Sequence, residues 1–399
     1  YGSKCEMGYS IGQYDRICWA VNNWVPALID TNPDVISVPE DYSTIQEALD
    51  SAEAGKRIHV SPGTYLENIV WPSTRDLRLI GAGPDSTIID GNQDGRVIKV
   101  GDDAFPPLEI SGFTITNGFT NGRGGGIQIK MTGDLILSDL AITNNQSSMG
   151  GGVIIEGIGG SWNGEAHVTV EHVVFSGNYS AGNGGGYLAY DNNVSTLFKH
   201  VTIANNSTDG TGGGIYSGMG HYSVIANSIF WNNSPNDVQG QVFPHYSNLD
   251  GGMGGEGNFS LDPLFIDSTN FHLQNGSPCI DAGSNIIVTN LDTLMLLGEM
   301  WMGDTIVNIS PAYYGGNAPD MGIFESPFIG SYSGPLWHVA ITGSDLTGNG
   351  SEENPFATIQ YGLTSANEND TVLVDDGIYV ENILWPATGG IKLIGSGEE

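Results

Sequence analysis

The chain is 399 residues long, enough for two or three ordinary domains or for one solenoid with appendages. Twelve Lys and Arg stand against 45 Asp and Glu, a formal net charge of −33 at pH 7. Phosphate backbones and anionic lipid surfaces need cations, so nucleic-acid and membrane-surface binding are disfavoured, and a soluble extracellular protein able to bind cations is favoured.

No apolar run is long enough to span a bilayer, residues 293–301 coming nearest, so no membrane insertion is expected. The chain begins at Tyr1 rather than Met, as after removal of a signal peptide or in a fragment. Residues 1–33 hold Cys5, Cys18, Trp19 and Trp24 and read as a cap over the first coil of a solenoid, or as an arm that docks a partner. Cys5 and Cys18 lie close in sequence and are expected to form a disulfide outside the cytosol; the alternative is two free thiols.

Residues 34–286 read as the solenoid body. Tyr42-Ser-Thr-Ile-Gln-Glu-Ala-Leu-Asp-Ser-Ala predicts a short amphipathic helix with Ser43 or Thr44 at its N-cap, and strands are expected at residues 57–60, 77–80 and 87–89. From residue 108 to residue 233 one pattern is written five times: Phe113-Thr-Ile115-Thr-Asn-Gly118, Leu140-Ala-Ile142-Thr-Asn-Asn145, Val173-Val-Phe175-Ser-Gly-Asn178, Val201-Thr-Ile203-Ala-Asn-Asn206 and Ser228-Ile-Phe230-Trp-Asn-Asn233. The copies recur every 27–33 residues, the mark of a stacked array. Between them, Gly124-Gly-Gly-Ile127, Gly150-Gly-Gly-Val153, Gly184-Gly-Gly-Tyr187 and Gly212-Gly-Gly-Ile215 each open a short alternating strand.

Each repeat is too short to bury its own apolar face. Stacked coil on coil, the runs become parallel sheets at about 4.8 Å spacing, with Ile115, Ile142, Phe175, Ile203 and Phe230 in one inward column. Asn145, Asn178, Asn206 and Asn233 form a structural ladder in the turns, where Asn tolerates left-handed backbone and its amide bonds the copies above and below. The Gly triplets supply positive φ or close backbone approach. The predicted fold is all-β: a right-handed parallel β-helix with a short helix in its first coil. A β-propeller is the alternative, but a blade needs about 40 residues or more.

Residues 234–286 lose the period; residues 250–257 read as a flexible loop and Cys279 as a small buried residue. Residues 287–327 carry the apolar run 294–301, read as a cover for the far end of the solenoid or as a contact surface, and residues 328–335 read as a linker. The chain then begins again. Thr358 to Gly397 aligns without a gap on Thr44 to Gly83 with about half the positions identical, and Glu67-Asn-Ile-Val-Trp-Pro72 is matched by Glu381-Asn-Ile-Leu-Trp-Pro386. Residues 336–399 therefore encode the first coil of a second β-helix or an assembly segment, with apolar columns at Val372, Val374, Ile383, Leu393 and Ile394.

Two patterns point to cation chemistry. Asp90-Gly-Asn-Gln-Asp-Gly95 matches the first half of a calcium loop, with oxygens at Asp90, Asn92 and Asp94 and Gly at the sixth position, although Gly101 stands where the closing Glu belongs. A tight turn is the competing reading, and Asp345-Leu-Thr-Gly-Asn-Gly350 is a similar candidate. The bend between the paired runs brings Asp139, His172, His200 and Asn227 to equivalent positions of successive coils. An Asp139-His172-His200 column suits a transition metal or acid–base work; otherwise it is a polar turn beside which Glu171 and Lys199 pair across coils.

Thr44-Ile-Gln-Glu-Ala-Leu, Val60-Ser-Pro-Gly-Thr-Tyr-Leu-Glu-Asn-Ile69, Leu79-Ile-Gly-Ala-Gly83 and Thr87-Ile-Ile-Asp-Gly91 resemble the opening coils of the pectin-lyase-like β-helix superfamily, which includes pectin methylesterases. The Gly-Gly-Gly-Ile and Phe-Ser-Gly-Asn repeats resemble those of bacterial polymorphic outer-membrane and adhesin-type β-helices. Asp262-Pro-Leu-Phe, Gly276-Ser-Pro-Cys-Ile-Asp-Ala-Gly283 and Pro319-Asp-Met-Gly-Ile-Phe-Glu325 are similar to the closing segment of large secreted bacterial surface β-helix proteins. The resemblance covers most of residues 34–327 and is specific for fold, since this superfamily holds many chemistries and many non-enzymes.

The resemblance is specific for fold and weak for function, and two functions stay open. One is a secreted or cell-surface structural or adhesive module without catalysis, joined to itself head to tail in a fibre through residues 336–399, or continuing into a larger parent chain. The other is a polysaccharide lyase or glycoside hydrolase acting on acidic polysaccharide. Lyases of this fold use a Lys or Arg base with calcium neutralising the uronate, which makes Lys99, Arg123 and Lys199 candidates, with His172 and His200 beside them. Beyond Gly91 the chain lacks the paired Asp and the Arg-Gln-Asp strand of pectin methylesterases, and Asp102-Asp103 lacks the flanking motif of polygalacturonases.

Overall fold

The structure is a computed structural model and describes residues 34–101, 107–158, 166–191, 194–218, 220–267, 269, 271–288, 305–310, 314, 318–326, 335–345, 348–352 and 354–397. The Cys5–Cys18 pairing, the aromatic arm 1–33, Asp102-Asp103, the apolar run 294–301 and nearly all of the linker lie outside the described residues. Two compact units form: Tyr1–Leu261 with Ile286–Ile309 and Met321–Phe324, and Asp262–Asn285 with Ser310–Asp320 and Glu325–Glu399.

The first unit is a right-handed parallel β-helix with three faces. Face A stacks Val35–Val38, Arg57–Val60, Arg78–Gly81, Leu108–Ser111, the first halves of Gly133–Thr143 and Ala166–Ser176, then Val194–Lys199, Tyr222–Ala226 and Val242–His245. Face B stacks Gly63–Leu66, Thr87–Asp90, Thr114–Thr116, the second halves of the two long strands, Thr202–Ala204, Ile229–Trp231 and Asn248–Leu249. The long strands run through the bend and join both faces into one 15-stranded sheet. Face C holds seven strands: Ile69–Val70, Ile98–Val100, Ile127–Met131, Val153–Gly157, Tyr187–Asp191, Ile215–Ser217 and Val238–Gly240. All pairs within these faces are parallel, and the handedness follows from the crossover rule for parallel strands.

The register lines up the inward residues. Ile115 pairs with Ile142, Ile142 with Phe175, Phe175 with Ile203 and Ile203 with Phe230, and all five are fully buried. Ile110, Leu137, Val170, Phe198 and Ile225 form the matching column of face A, and Ile98, Ile127, Val153, Tyr187 and Ile215 that of face C. Each such side chain contributes about 1.5–3 kcal/mol on burial, which no single coil obtains alone.

The turn asparagines divide two jobs between neighbours. Left-handed backbone falls on Asn117, Asn144, Gly177, Asn205 and Asn232. The ladder is made by the next residue: Asn145 Nδ2 donates to Asn178 Oδ1 at 3.1 Å, Asn178 to Asn206 at 2.9 Å and Asn206 to Asn233 at 2.9 Å. Each amide also donates back to a carbonyl of the preceding coil, Asn178 to Ile142 O at 2.8 Å for example. The Gly triplets divide their work likewise. Gly124, Gly150, Gly184 and Gly212 take φ of 66–71°, whereas a Cβ on Gly151 would stand 2.5 Å from the carbonyl oxygens of Gly185 and Tyr179.

The first coil carries helix α1 (Ile45–Ser51), capped by Thr44, whose hydroxyl accepts from Glu47 N–H. Its buried residues Ile45, Ala48 and Leu49 pack against Val35–Val38, Arg57–Val60 and Ile69–Val70, covering the core at the start of the solenoid. Glu67 receives the first helical amides, from Ile45 and Gln46, and the Gln46 amide pairs with the Val70 backbone. No helix among the described residues is long and apolar enough to cross a membrane.

In the second unit, Leu336–Val339, Thr371–Val374 and Lys392–Gly395 form a parallel three-stranded sheet, with helix α2 (Ile359–Ser365) capped by Thr358. Trp337, Val339, Phe356, Leu363, Val372, Val374 and Ile391 make its core. Cys279 is buried and forms no disulfide among the described residues. Asp320 accepts from the Asp281 and Ser326 amides, and burial pushes its carboxyl up to about 6.

Candidate functional site

Alternation along face C turns Lys99, Gln128, Lys130, Glu156 and Tyr190 outward while their neighbours fill the core. Arg96 and Arg123 approach this face, and Arg96 Nε donates to the Arg123 carbonyl at 3.2 Å. Glu156 is 1% exposed although it points away from the core. Arg123 Nη1 donates to its Oε1, and Gln128 Nε2 donates to its Oε2 at 2.6 Å. The Arg123 guanidinium also lies 4.5 Å from the Tyr190 ring centroid and 3.6 Å from Asp191. The hydrogen bond that Arg123 donates to Glu156 holds its guanidinium above its ordinary value despite desolvation, so Arg123 is a fixed cation and an unsuitable base. Lys99 is exposed on the same strip, and Lys130 is half-buried.

The bend column is built by backbone. Asp139, His172, His200 and Asn227 have φ of 49–52°, a left-handed corner that short polar residues accept more readily than others. His172 and His200 stack at 5.5 Å, and Asn227 Nδ2 lies 3.2 Å from His200 Nε2. Desolvation first, then the His172 and Lys199 charges, hold His200 well below its usual value, so it stays neutral. Lys199 Nζ meets Glu171 Oε2 at 3.0 Å on paired strands. Among the described residues no three His, Cys, Asp or Glu side chains stand together to hold a metal ion, so Asp139, His172 and His200 share a column without forming a ligand set.

The Asp90 segment folds as a hydrogen-bonded turn. Asp90 Oδ1 accepts from Asn92 N–H at 2.8 Å and its Oδ2 from Asn117 Nδ2 at 2.9 Å, while Asn92 and Gln93 take positive φ and Asp94 is exposed. Asp90 is thus committed to the neighbouring coil, and Asn92 and Asp94 are turned out. Asp345 is similarly occupied, accepting from Ala357 N–H, Thr358 N–H and the Thr358 hydroxyl. Of the C-terminal assembly residues, Val372 and Val374 are buried in the local core, Leu393 is half-buried, and Ile383 and Ile394 are exposed.

Sequence reasoning missed Glu156, Gln128 and Asp237. A lone Glu ending the apolar run Val153–Glu156 was the available signal, but its partner Arg123 lies 33 residues upstream. Asp237 ends the asparagine ladder, accepting from Asn233 Nδ2 at 2.7 Å and from Asp250 N–H at 2.7 Å.

These features define a parallel β-helix with an internal asparagine ladder and a polar strip on one face. Residues 200–218 match the Chlamydia polymorphic membrane protein repeat. In the structure they span one bend, the face B strand, ladder residue Asn206, a Gly triplet and the face C strand. The chain is similar to the solved structure of rice weevil pectin methyl esterase, at 17% identity over 61% of this chain and 84% of that one, with a TM-score of 0.33. It is also similar to a pectin methylesterase mutant in complex with a hexasaccharide, at 13% identity over 56% of this chain and 88% of that one, with a TM-score of 0.32. No curated protein matches the chain.

Proposed function

We propose that the chain is a surface-displayed β-helix module of structural or adhesive role, and that the polar strip of face C is its ligand face for an acidic polysaccharide. The carrying observation is that Arg123 is bound to buried Glu156, which suits holding a ligand and does not suit proton abstraction. Three further features support the reading. Lys199 is paired to Glu171, His200 is buried and neutral, and residues 200–218 match a repeat whose name refers to a membrane protein. Arg96, Lys99, Arg123 and Lys130 gather four of the chain's 12 Lys and Arg on the strip, and Tyr190 beside them offers a ring for stacking.

The test pairs binding with turnover. Polygalacturonate, an uncharged glucan and a sulfated glycan are compared by calorimetry, and each reaction is followed at the absorbance band of unsaturated uronate. The expected outcome is salt-sensitive binding of the acidic polymers, weakened at least tenfold by Lys99→Ala with Lys130→Ala, and no unsaturated product. Turnover abolished by Lys99→Ala or Arg123→Ala would establish a lyase instead.

A further inference from the structure

Asp262–Pro263 is the single Asp-Pro bond among the 399 residues. It stands at the start of the second unit, directly after Leu261 of the first. Asp262 is exposed, in a segment without helix or strand. Pro263 has no amide hydrogen, so the first backbone donor after Asp262 is the Leu264 N–H. It donates to Asp262 Oδ1 at 2.9 Å, closing a turn that folds the carboxylate back across the 262–263 peptide. Two features pin the far side of that turn. Leu264 takes a φ of 51°, and the buried Ser277 hydroxyl donates to the Pro263 carbonyl at 2.7 Å. The carboxylate of Asp262 and its own carbonyl carbon are thus held in one short, fixed turn.

We infer that Asp262–Pro263 is a self-cleaving peptide bond, opened in mild acid by the Asp262 carboxylate. Asp262 Oδ2 attacks the carbonyl carbon of its own residue and closes a five-membered cyclic anhydride, while the C–N bond to Pro263 breaks. The bonding pair leaves with the nitrogen, which takes a proton from the solvent and becomes the secondary amine of a new Pro263 N-terminus. Water then opens the anhydride to the two carboxyl groups of a C-terminal Asp262. The tertiary amide of an X-Pro bond supplies the better leaving nitrogen, because it takes up a proton more readily than a secondary amide. The turn adds alignment, since it holds the attacking oxygen beside the carbon it attacks.

Both new ends are tied within their own units. In the first unit, the buried Asn248 amide brackets Leu261, donating to its carbonyl at 2.7 Å and accepting from its N–H at 3.1 Å. In the second, Ser277 holds Pro263, and the Leu264 carbonyl accepts from Gln274 N–H at 2.9 Å. Two segments downstream of the cut nevertheless belong to the first unit, Ile286–Ile309 and Met321–Phe324. Ile287, Ile306 and Val307 pack with Leu197, Val224 and Ala226. Gly322 N–H donates to the Asn227 carbonyl at 2.9 Å, and Ile323 N–H donates to the Thr202 hydroxyl at 3.2 Å. Scission therefore yields a two-chain protein, in which residues 263–399 stay on the solenoid through these contacts without a covalent link.

The test incubates the full chain at the most acidic pH at which circular dichroism shows it folded, beside the same chain unfolded in urea at that pH. Intact mass under denaturing conditions should reveal two fragments, residues 1–262 and 263–399, formed at least tenfold faster in the folded chain than in urea. Size exclusion without denaturant should keep a single peak. Asp262→Asn removes the carboxylate, and Pro263→Ala makes the leaving nitrogen a secondary amide; each should stop the scission. Asp262→Glu keeps the charge but needs a six-membered ring, and should slow it. A folded chain that stays intact, a cut at another bond, or scission undiminished in Asp262→Asn overturns the inference. A rate in urea equal to that in the folded chain overturns it too, because the turn would then contribute nothing. Two separate peaks after the cut would overturn the two-chain assembly.

Discussion

Asn233 Nδ2 donates to Asp237 Oδ1 at 2.7 Å, and with that bond the buried asparagine ladder ends on a carboxylate. Burial pushes Asp237 up to about 6, although hydrogen bonds from Asn233 and the Asp250 amide pull the other way. The folded state thus binds a proton that the unfolded chain has released above its ordinary carboxylate pKa of 3.8. Stability from this group is fully present below pH 3.8 and is lost as pH rises through about 6, a change on the order of 2–3 kcal/mol. Melts of the full chain between pH 4 and 7 should show a falling midpoint, and Asp237→Asn should flatten part of the slope. Asp320, raised to the same value in the second unit, keeps the remainder.

The interior of the ladder answers to a different test. Asn178 is 1% exposed, receives both the backbone and side-chain amides of Asn145, and donates to Ile142 O and Asn206 Oδ1. Asn178→Ala leaves buried donors and acceptors unpaired on two coils and should cost about 2–4 kcal/mol by urea denaturation. Asn232→Ala, at the exposed left-handed position of the turn that carries Asn233, should cost about 1 kcal/mol, since it adds the strain of a left-handed alanine and loses only an exposed bond to Asn205.

Close approach predicts the glycine effects. Gly151→Ala places its methyl against two carbonyl oxygens of the next coil that cannot withdraw without breaking the ladder, and should cost about 3 kcal/mol. Gly254→Ala meets nothing within 4 Å and should leave the urea midpoint unchanged.

Calcium is tested most directly at the Asp90 turn. Because Asp90 spends both oxygens on Asn92 and Asn117, millimolar calcium should leave the melting temperature of the wild type and of Asp94→Ala equally unchanged. A calcium-dependent rise lost in Asp94→Ala would show that the turn opens to take the ion.

How much of this was legible in the sequence depends on what each feature requires. The inward columns were legible because period and apolar pattern alone place Ile115 beside Ile142 and Phe175 beside Ile203 on successive coils. The duplicated coil was legible from Glu67 and Glu381, although the clamp they make was not, because it depends on where helix and strand meet in space. The asparagine turn was half legible: composition marks it, but which neighbour takes positive φ and which turns inward is decided by the bend. The bend column shows the converse. Asp139, His172 and His200 share a register and look like ligands, yet they are aligned by left-handed backbone and do not converge.

The Arg123–Glu156 pair gives the sharpest separation between a structural and a reactive role for the polar strip. Glu156 is buried, and its two oxygens are held by Arg123 and Gln128. Removing the cation alone leaves an uncompensated buried carboxylate, so Arg123→Met should cost about 3–5 kcal/mol at neutral pH. Glu156→Gln in the same chain removes that charge and keeps an acceptor, so the double variant should recover most of the loss, giving a coupling energy of about 2 kcal/mol or more in the cycle. The cycle is measured by urea denaturation at pH 7. An Arg123→Met variant as stable as the wild type would mean that the pair holds nothing together, and would withdraw the observation that carries the reading of the strip as a ligand face.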